Sequence, residues 1–388
     1  MKNLLIAAMM LMPAAAGAQQ NLKLGNLEIN PFLSTQESYD SNIYLTRDAA
    51  KSALINRSVI GVNLVENLGS RYDLKGGYNM ELLGYSRETQ INDAVHHNAD
   101  LGFKGKMPKG ITVTVDDKWK QTTDQATSQT VERAQRVENT MGFNLNAPLR
   151  GKFGFALVAQ HVYNNYFDPA YATLDREEVQ VGANLEYKWQ PKTKLFVSYR
   201  HGILNYQVGY ANDATFDNVE VGATGQIAPK VQGTVTAGAQ MRKYDEDLND
   251  AKDDANTAQY SAQAVWKPVE KTDVTLFAKR GNVETNYGDA RFYTSTLTDL
   301  SVSRMVRKFK VTVGLSYEDV RYSDKRNTLS ATELVRKDEN ANARLLVDYN
   351  IQKWLTANFG YSYKDRSSNF DQFEYKDNVV SLGLKAMF

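Results

Sequence analysis

The sequence predicts an all-β chain, a transmembrane antiparallel outer-membrane β-barrel of about 18 strands. Three observations predict it. Hydropathy alternates with a period of two along most of the chain, the polar connections alternate between short and long, and the last strand ends on an aromatic residue.

The alternation is clearest in "EVQVGANLEYKW", where Val179, Val181, Ala183, Leu185, Tyr187 and Trp189 share one face and Glu178, Gln180, Gly182, Asn184, Glu186 and Lys188 the other. It recurs in "VEVGATGQI", "VQGTVTAGAQM" and "KFKVTVGLSY". One such strand suits a half-buried soluble sheet, but a series that fills the chain suits strands with a lipid face and a lumen face. Tight turns fall at "ENLGS", "MPKG", "APLRG", "QPKT", "APK", "KPVEKT", "VRK" and "NIQK", and long polar stretches such as "DQATSQTVER" and "DEDLNDAKDDANTA" fall between them. Short turns belong to the periplasmic end and long loops to the outside. The segments so delimited are 28–42, 54–66, 71–87, 94–106, 111–123, 134–147, 152–167, 176–190, 193–207, 214–228, 230–245, 256–268, 271–286, 291–306, 308–323, 334–350, 354–368 and 373–388.

The two ends agree. Lys2, the apolar run Leu4 to Ala16 and the Ala16-Gly17-Ala18 site read as a secretory signal over 1–18. A short periplasmic segment, 19–27, then leads into a barrel domain over 28–388, with no space for a plug or a periplasmic domain. In "NVVSLGLKAMF", Val380, Leu382, Leu384, Ala386 and Phe388 share a face, and the terminal Phe388 resembles the signal that bacterial barrel assembly machinery recognises.

Composition narrows the function. The 46 basic and 45 acidic side chains nearly cancel, which argues against a nucleic-acid partner, and the absence of cysteine removes disulfides, thiol nucleophiles and Cys-based metal sites. No stretch after the leader approaches the ~20 apolar residues a membrane helix needs, while 22 Tyr and 15 Phe supply interfacial girdles for a barrel among outer-membrane lipids. The histidines His96, His97, His161 and His201 stand in no catalytic motif, and neighbours such as His96 and His97 point to opposite faces of a strand. Neither an enzyme nor a cofactor is expected.

Alternation assigns the lumen. Lys188, Lys194, Arg200, Arg242, Lys279, Lys310, Arg344 and Lys385 are expected to point inward. So are Glu178, Glu186, Glu220, Asp73, Glu81, Asp116, Asp273 and Asp348, together with the bulky Phe196, Phe277 and Trp354. A water-filled barrel lines itself with mixed polar groups in any case; the aromatics serve equally as packing filler or as a sugar-stacking track.

In "ESYDSNIYLT", Tyr39 and Tyr44 suit the outer girdle, and Asp40-Ser41-Asn42 turns the chain into the first external loop. The tyrosine-aspartate-x-asparagine pattern there resembles the signature of the outer-membrane β-barrel porin family of exopolysaccharide biosynthesis and export gene clusters. That resemblance implies a channel exporting an extracellular polysaccharide, working with a periplasmic polysaccharide export protein. Arg150, Lys192, Lys230 and Lys308, at or beside four short turns, are the candidate docking side chains. Alginate exporters look similar in strand number but carry a strongly basic lumen, which the mixed charges here do not reproduce. The alternative is a diffusion porin for small hydrophilic solutes; a structural or adhesive barrel is disfavoured by the modest loops.

Overall fold

The computed structural model describes residues 22–126, 133–208, 213–245, 254–285, 290–323 and 335–388. The expected signal, 1–18, and parts of the long loops lie outside the described residues.

The first four strands are β1 (Leu22–Leu24), β2 (Leu27–Asp40), β3 (Ala53–Leu68) and β4 (Tyr72–Tyr85). They continue as β5 (Ala94–Lys106), β6 (Thr112–Thr122), β7 (Arg136–Pro148), β8 (Phe153–Tyr166), β9 (Arg176–Gln190) and β10 (Thr193–Tyr206). After these come β11 (Ala214–Ala228), β12 (Val231–Tyr244), β13 (Ala255–Trp266), β14 (Thr272–Glu284) and β15 (Phe292–Val306). The last are β16 (Phe309–Tyr322), β17 (Lys337–Asn350), β18 (Leu355–Ser368) and β19 (Tyr375–Met387). From β2 to β19 each strand pairs antiparallel with its neighbours in sequence, and β19 returns to β2 with Met387 opposite Phe32 and Val379 opposite Asp40. The chain is thus a closed 18-strand barrel. Closure removes free sheet edges, the condition for backbone amides to survive in hydrocarbon. The three-residue β1 is an addition the alternation did not reveal, a short hairpin on the start of β2.

The outer surface carries a band of exposed apolar side chains, among them Val197, Val221, Val313, Leu315 and Leu382. In water this would be an aggregating surface; in a bilayer it faces acyl chains. Aromatic pairs edge the band at the short-turn end: Phe153 with Tyr187, Phe309 with Tyr349, and Trp354 with Phe388. Tyr39, Tyr199 and Tyr317 are half exposed toward the other end. Tyr44 does not join that girdle. It packs with Ile43, Ala53, Ile55, Leu83 and Tyr85 and accepts a hydrogen bond from Asn92 (2.9 Å), because the loop after β2 folds back over the barrel mouth.

Two of the buried groups in "YDSN" explain that fold-back. The Asn42 side chain donates to the carbonyls of Thr46 (2.7 Å) and Lys376 (3.0 Å) and accepts from the Thr46 amide. Asp40 accepts from the Asn42 amide at 2.8 Å. Loop, β2 and the β19 side are tied at one point, where β2 and β19 close the barrel.

Candidate functional site: the barrel lumen

Strand register places the inward side chains. Glu178, Glu186, Phe196, Arg200, Glu220, Arg242 and Lys279 line a single cavity of about 730 Å³ against β9 to β14. Lys194 reaches Glu186 at 2.6 Å, and Lys188 stands beside Lys194 across the β9–β10 pair. Lys310 is opposite Asp348, and Phe277 is opposite Asp299 and Gln263. Arg344 spans β16 to hold Asp299 with two bonds of 2.5 and 2.7 Å, and the Lys385 ammonium sits 5.6 Å over the Phe32 ring. Asp116 lines a smaller cavity of about 330 Å³ with Gln160, Gln180 and Arg200. Glu81 binds Arg57 and His96, each at 3.2 Å. Asp73 is opposite Lys104, and Asp273 is opposite Ser303. Trp354 is the correction. It precedes β18 in a turn, where strand parity no longer holds, and stacks on Phe388 with ring centroids 6.0 Å apart.

A second feature needs the register to be seen at all. Long inward side chains lie flat over a glycine of the adjoining strand. A Cβ on Gly222 would stand 2.5 Å from the Phe196 ring, one on Gly182 2.6 Å from Arg200, one on Gly238 2.9 Å from Glu220, and one on Gly314 2.6 Å from Arg344. Lying flat keeps the lumen wide and turns the half-buried Phe196 ring face toward it. Phe216 lies over Gly202 in the same way, but the Arg242 guanidinium covers it, 5.2 Å from the ring centre.

Toward the long-loop end the inner face changes character. Leu83, Phe216, Tyr293 and Val320 are at most 2 % exposed although they point inward, so other groups fill the barrel at their level. Arginines thread this apolar layer: Arg336 holds Asp338 at 2.9 and 2.6 Å and stacks on Tyr322 and Phe373, and Arg136 holds Glu138 at 2.6 Å. Desolvated ions of this kind persist only when paired, and ring faces help to satisfy a guanidinium.

Part of the filling is the β14–β15 hairpin. Pairing of β14 with β13 stops at Arg280 opposite Tyr260, while β14 and β15 stay paired to Glu284 opposite Phe292. Beyond that point Asn282 binds Gln240 (2.9 Å), Glu284 binds Arg242 (2.6 Å), and Phe292 stacks on Tyr244. These partners belong to the inner face of β12, two strands away. The described ends of the hairpin, Asn282 to Glu284 and Phe292, therefore leave the wall and lie against the inside of the barrel.

The adjacent histidines serve separate faces. His96 points inward and is buried between Glu81 and Thr123, and His97 points outward and meets the Tyr78 hydroxyl at 2.8 Å. The mouth loops carry further ionic latches, Arg47 to Asp371 (2.7 Å) and one at Glu88. The Glu88 carboxyl receives Lys51 (2.5 Å) and Tyr44, which together hold it below the ordinary carboxylate range. At the short-turn end Arg150, Lys192, Lys230 and Lys308 are exposed. The Lys230 ammonium donates to the Pro268 carbonyl (2.8 Å) and that of Lys308 to the Ile351 carbonyl (3.2 Å), each bridging neighbouring turns.

A closed barrel with an apolar outer band, two aromatic borders and a polar lumen defines the class: an outer-membrane β-barrel channel of a Gram-negative bacterium. The chain belongs to the family described as "Putative beta-barrel porin 2", whose model matches residues 15–388. Comparison with curated proteins finds no match. Among solved structures the chain is similar to the FrpB iron transporter from Neisseria meningitidis, F3-3 variant, at 11% identity and a TM-score of 0.45, over 96% of this chain and 83% of that one. It is also similar to OccAB4 of Acinetobacter baumannii, at 11% identity and a TM-score of 0.45, over 93% and 98% of the two chains. A third is a loop-deletion mutant of OmpT, an outer membrane protein of Vibrio cholerae, at 12% identity and a TM-score of 0.43, over 94% and 100%.

Proposed function

We propose that this barrel is the outer-membrane passage for a secreted polysaccharide, fed by a periplasmic export protein and built into the membrane by the barrel assembly machinery through the strand ending in Phe388. The observation that carries the reading is the lumen wall of β9 to β13. Amides, hydroxyls and paired ions surround a flat aromatic ring there, a surface suited to sliding contact with sugars. A polymer needs such weak, repeated contacts along a wall rather than one deep pocket. The exposed Arg150 and Lys192 are the freer docking candidates at the short-turn rim, since Lys230 and Lys308 also tie turns together.

The test is genetic. Deleting the gene should abolish surface polysaccharide and leave growth on small sugars unchanged. Reversing the four turn charges together should lower export at an unchanged level of folded barrel. Normal surface polysaccharide with slower uptake of a small solute would replace this reading with the diffusion porin.

A further inference from the structure

We propose that the cavity on the β9–β14 wall is a glycan subsite selective for uncharged sugar residues, with the Phe196 ring as its stacking platform. It rests on the polysaccharide reading only for the source of the ligand. The volume of about 730 Å³ lies in the range of sites for small organic molecules, roughly 300–1,000 Å³.

The ring comes first. Gly222 behind Phe196 lets the side chain lie against the wall, so one ring face is backed by backbone and the other looks into the cavity. A pyranose has an apolar C–H face that stacks on such a ring while its hydroxyls project sideways. Those hydroxyls would meet Asn184 and Thr236, the amide and hydroxyl of the lining nearest the ring, and Gln180 would meet those of the next sugar residues along a chain. Each amide offers donors and an acceptor in one plane, and a sugar hydroxyl is likewise both donor and acceptor. Toward the mouth the lining ends on buried amides, Gln240 donating to Asn218 at 3.0 Å and accepting from Asn282 at 2.9 Å.

Charge decides the class of sugar. Three of the cavity's four carboxylates are each held by a cation: Glu186 by Lys194 (2.6 Å), Glu220 by Arg200 (3.3 Å) and Glu284 by Arg242 (2.6 Å). The fourth, Glu178, receives the Gln180 amide. A sugar carboxylate reaching for Arg200 would have to displace Glu220. The other cations of the lining do not flank the platform. Lys279 is four strands from Phe196 along the row Phe196, Gly222, Thr236, Ser261, Lys279, or roughly 19 Å at ~4.8 Å per strand. Arg280 follows it on β14 and donates to Thr296. Arg176 starts β9, ten residues from Glu186.

The experiment is equilibrium binding to the full barrel, in a detergent without a sugar headgroup, using maltohexaose and a hexagalacturonate of equal length as probes. Titration calorimetry reads the affinities, and unboiled gel mobility confirms that each variant is folded. Maltohexaose should bind about ten-fold more tightly than the uronate. Phe196→Ala should weaken maltohexaose about ten-fold, and Phe196→Tyr should retain it. Glu220→Gln, which releases Arg200, should raise uronate affinity. Tighter uronate binding by the unchanged protein, unaltered maltohexaose affinity in folded Phe196→Ala, or no maltohexaose binding at all would overturn the subsite. A deletion strain with normal surface polysaccharide would overturn export alone, since the same chemistry serves uptake of neutral oligosaccharides.

Discussion

The two ends of the lumen obey one alternation rule and reach opposite outcomes. Near the short turns, inward residues such as Lys104, Lys310 and Lys385 are exposed. Near the long loops, inward Leu83, Tyr293, Val320, Asp338 and Arg366 are at most 3 % exposed. The difference teaches that a lumen-facing position is water-facing only where nothing is folded in above it. Among the described residues the first loop and the β14–β15 strand ends around Glu284 and Phe292 supply part of that cover. The lower lumen is a wet wall; the mouth is a small protein core with arginines in it.

Mutations at the two ends should differ in cost. The largest effect is expected in the mouth, where Arg242→Ala leaves Glu284 buried and without its partner, a loss of about 3–5 kcal/mol in the urea unfolding of the folded barrel. Replacing both with apolar residues of similar size should recover most of it. Next is the lipid face: Leu382→Arg, on an outward position 62% exposed, should cost about 2–4 kcal/mol if it lies near the midplane, read as the folded fraction on unboiled gels. The inward neighbour Lys385→Glu should leave that fraction nearly unchanged. Smaller still is the wet wall, where Lys194→Ala should cost no more than about 1 kcal/mol, because the Lys194 side chain is half exposed. Equal costs at Lys194 and Arg242 would erase the distinction between the two regions.

The smallest effect sharpens the account of the mouth loops. Because its partners depress the Glu88 carboxyl, the latch contributes fully above the unfolded carboxylate value of about 4.3 and is lost as pH falls through the lower folded value. Proteolysis of the 41–52 loop should therefore gain a rise in acid as pH falls through that lower value. Glu88→Gln should cleave faster at neutral pH and show a smaller rise in acid, since the Arg47 pairs with Asp371 and Glu374 remain.

Most of the barrel was legible, because period-two alternation and turn spacing are local signals. Strand number came from them, and so did the inward side of Glu178, Phe196, Arg200 and Lys279. Boundaries shifted slightly where a loop folds back: the first long strand ends at Asp40 rather than at 42, since Asn42 is committed to the Thr46 and Lys376 carbonyls. Two errors, Tyr44 and Trp354, lie just outside strands, where parity has no meaning. The packed mouth did leave a trace. Leu82-Leu83 near the end of β4 and Phe292-Tyr293 at the start of β15 are apolar on both faces, which a strand with one wet side does not need. Which glycine lies under Phe196 or Arg200 depends on pairing between strands, and no local pattern encodes it.

If the polar lumen is a passage and the packed mouth its barrier, conductance in planar bilayers reports both. Wild-type barrels should show small steps with little preference between cations and anions, since acidic and basic groups alternate along the wall. A variant with Arg242→Ala, Glu284→Ala and Phe292→Ala, which releases the β14–β15 strand ends from β12, should show several-fold larger steps at the same weak selectivity. Wild-type steps already as large as those of the released variant would contradict the account.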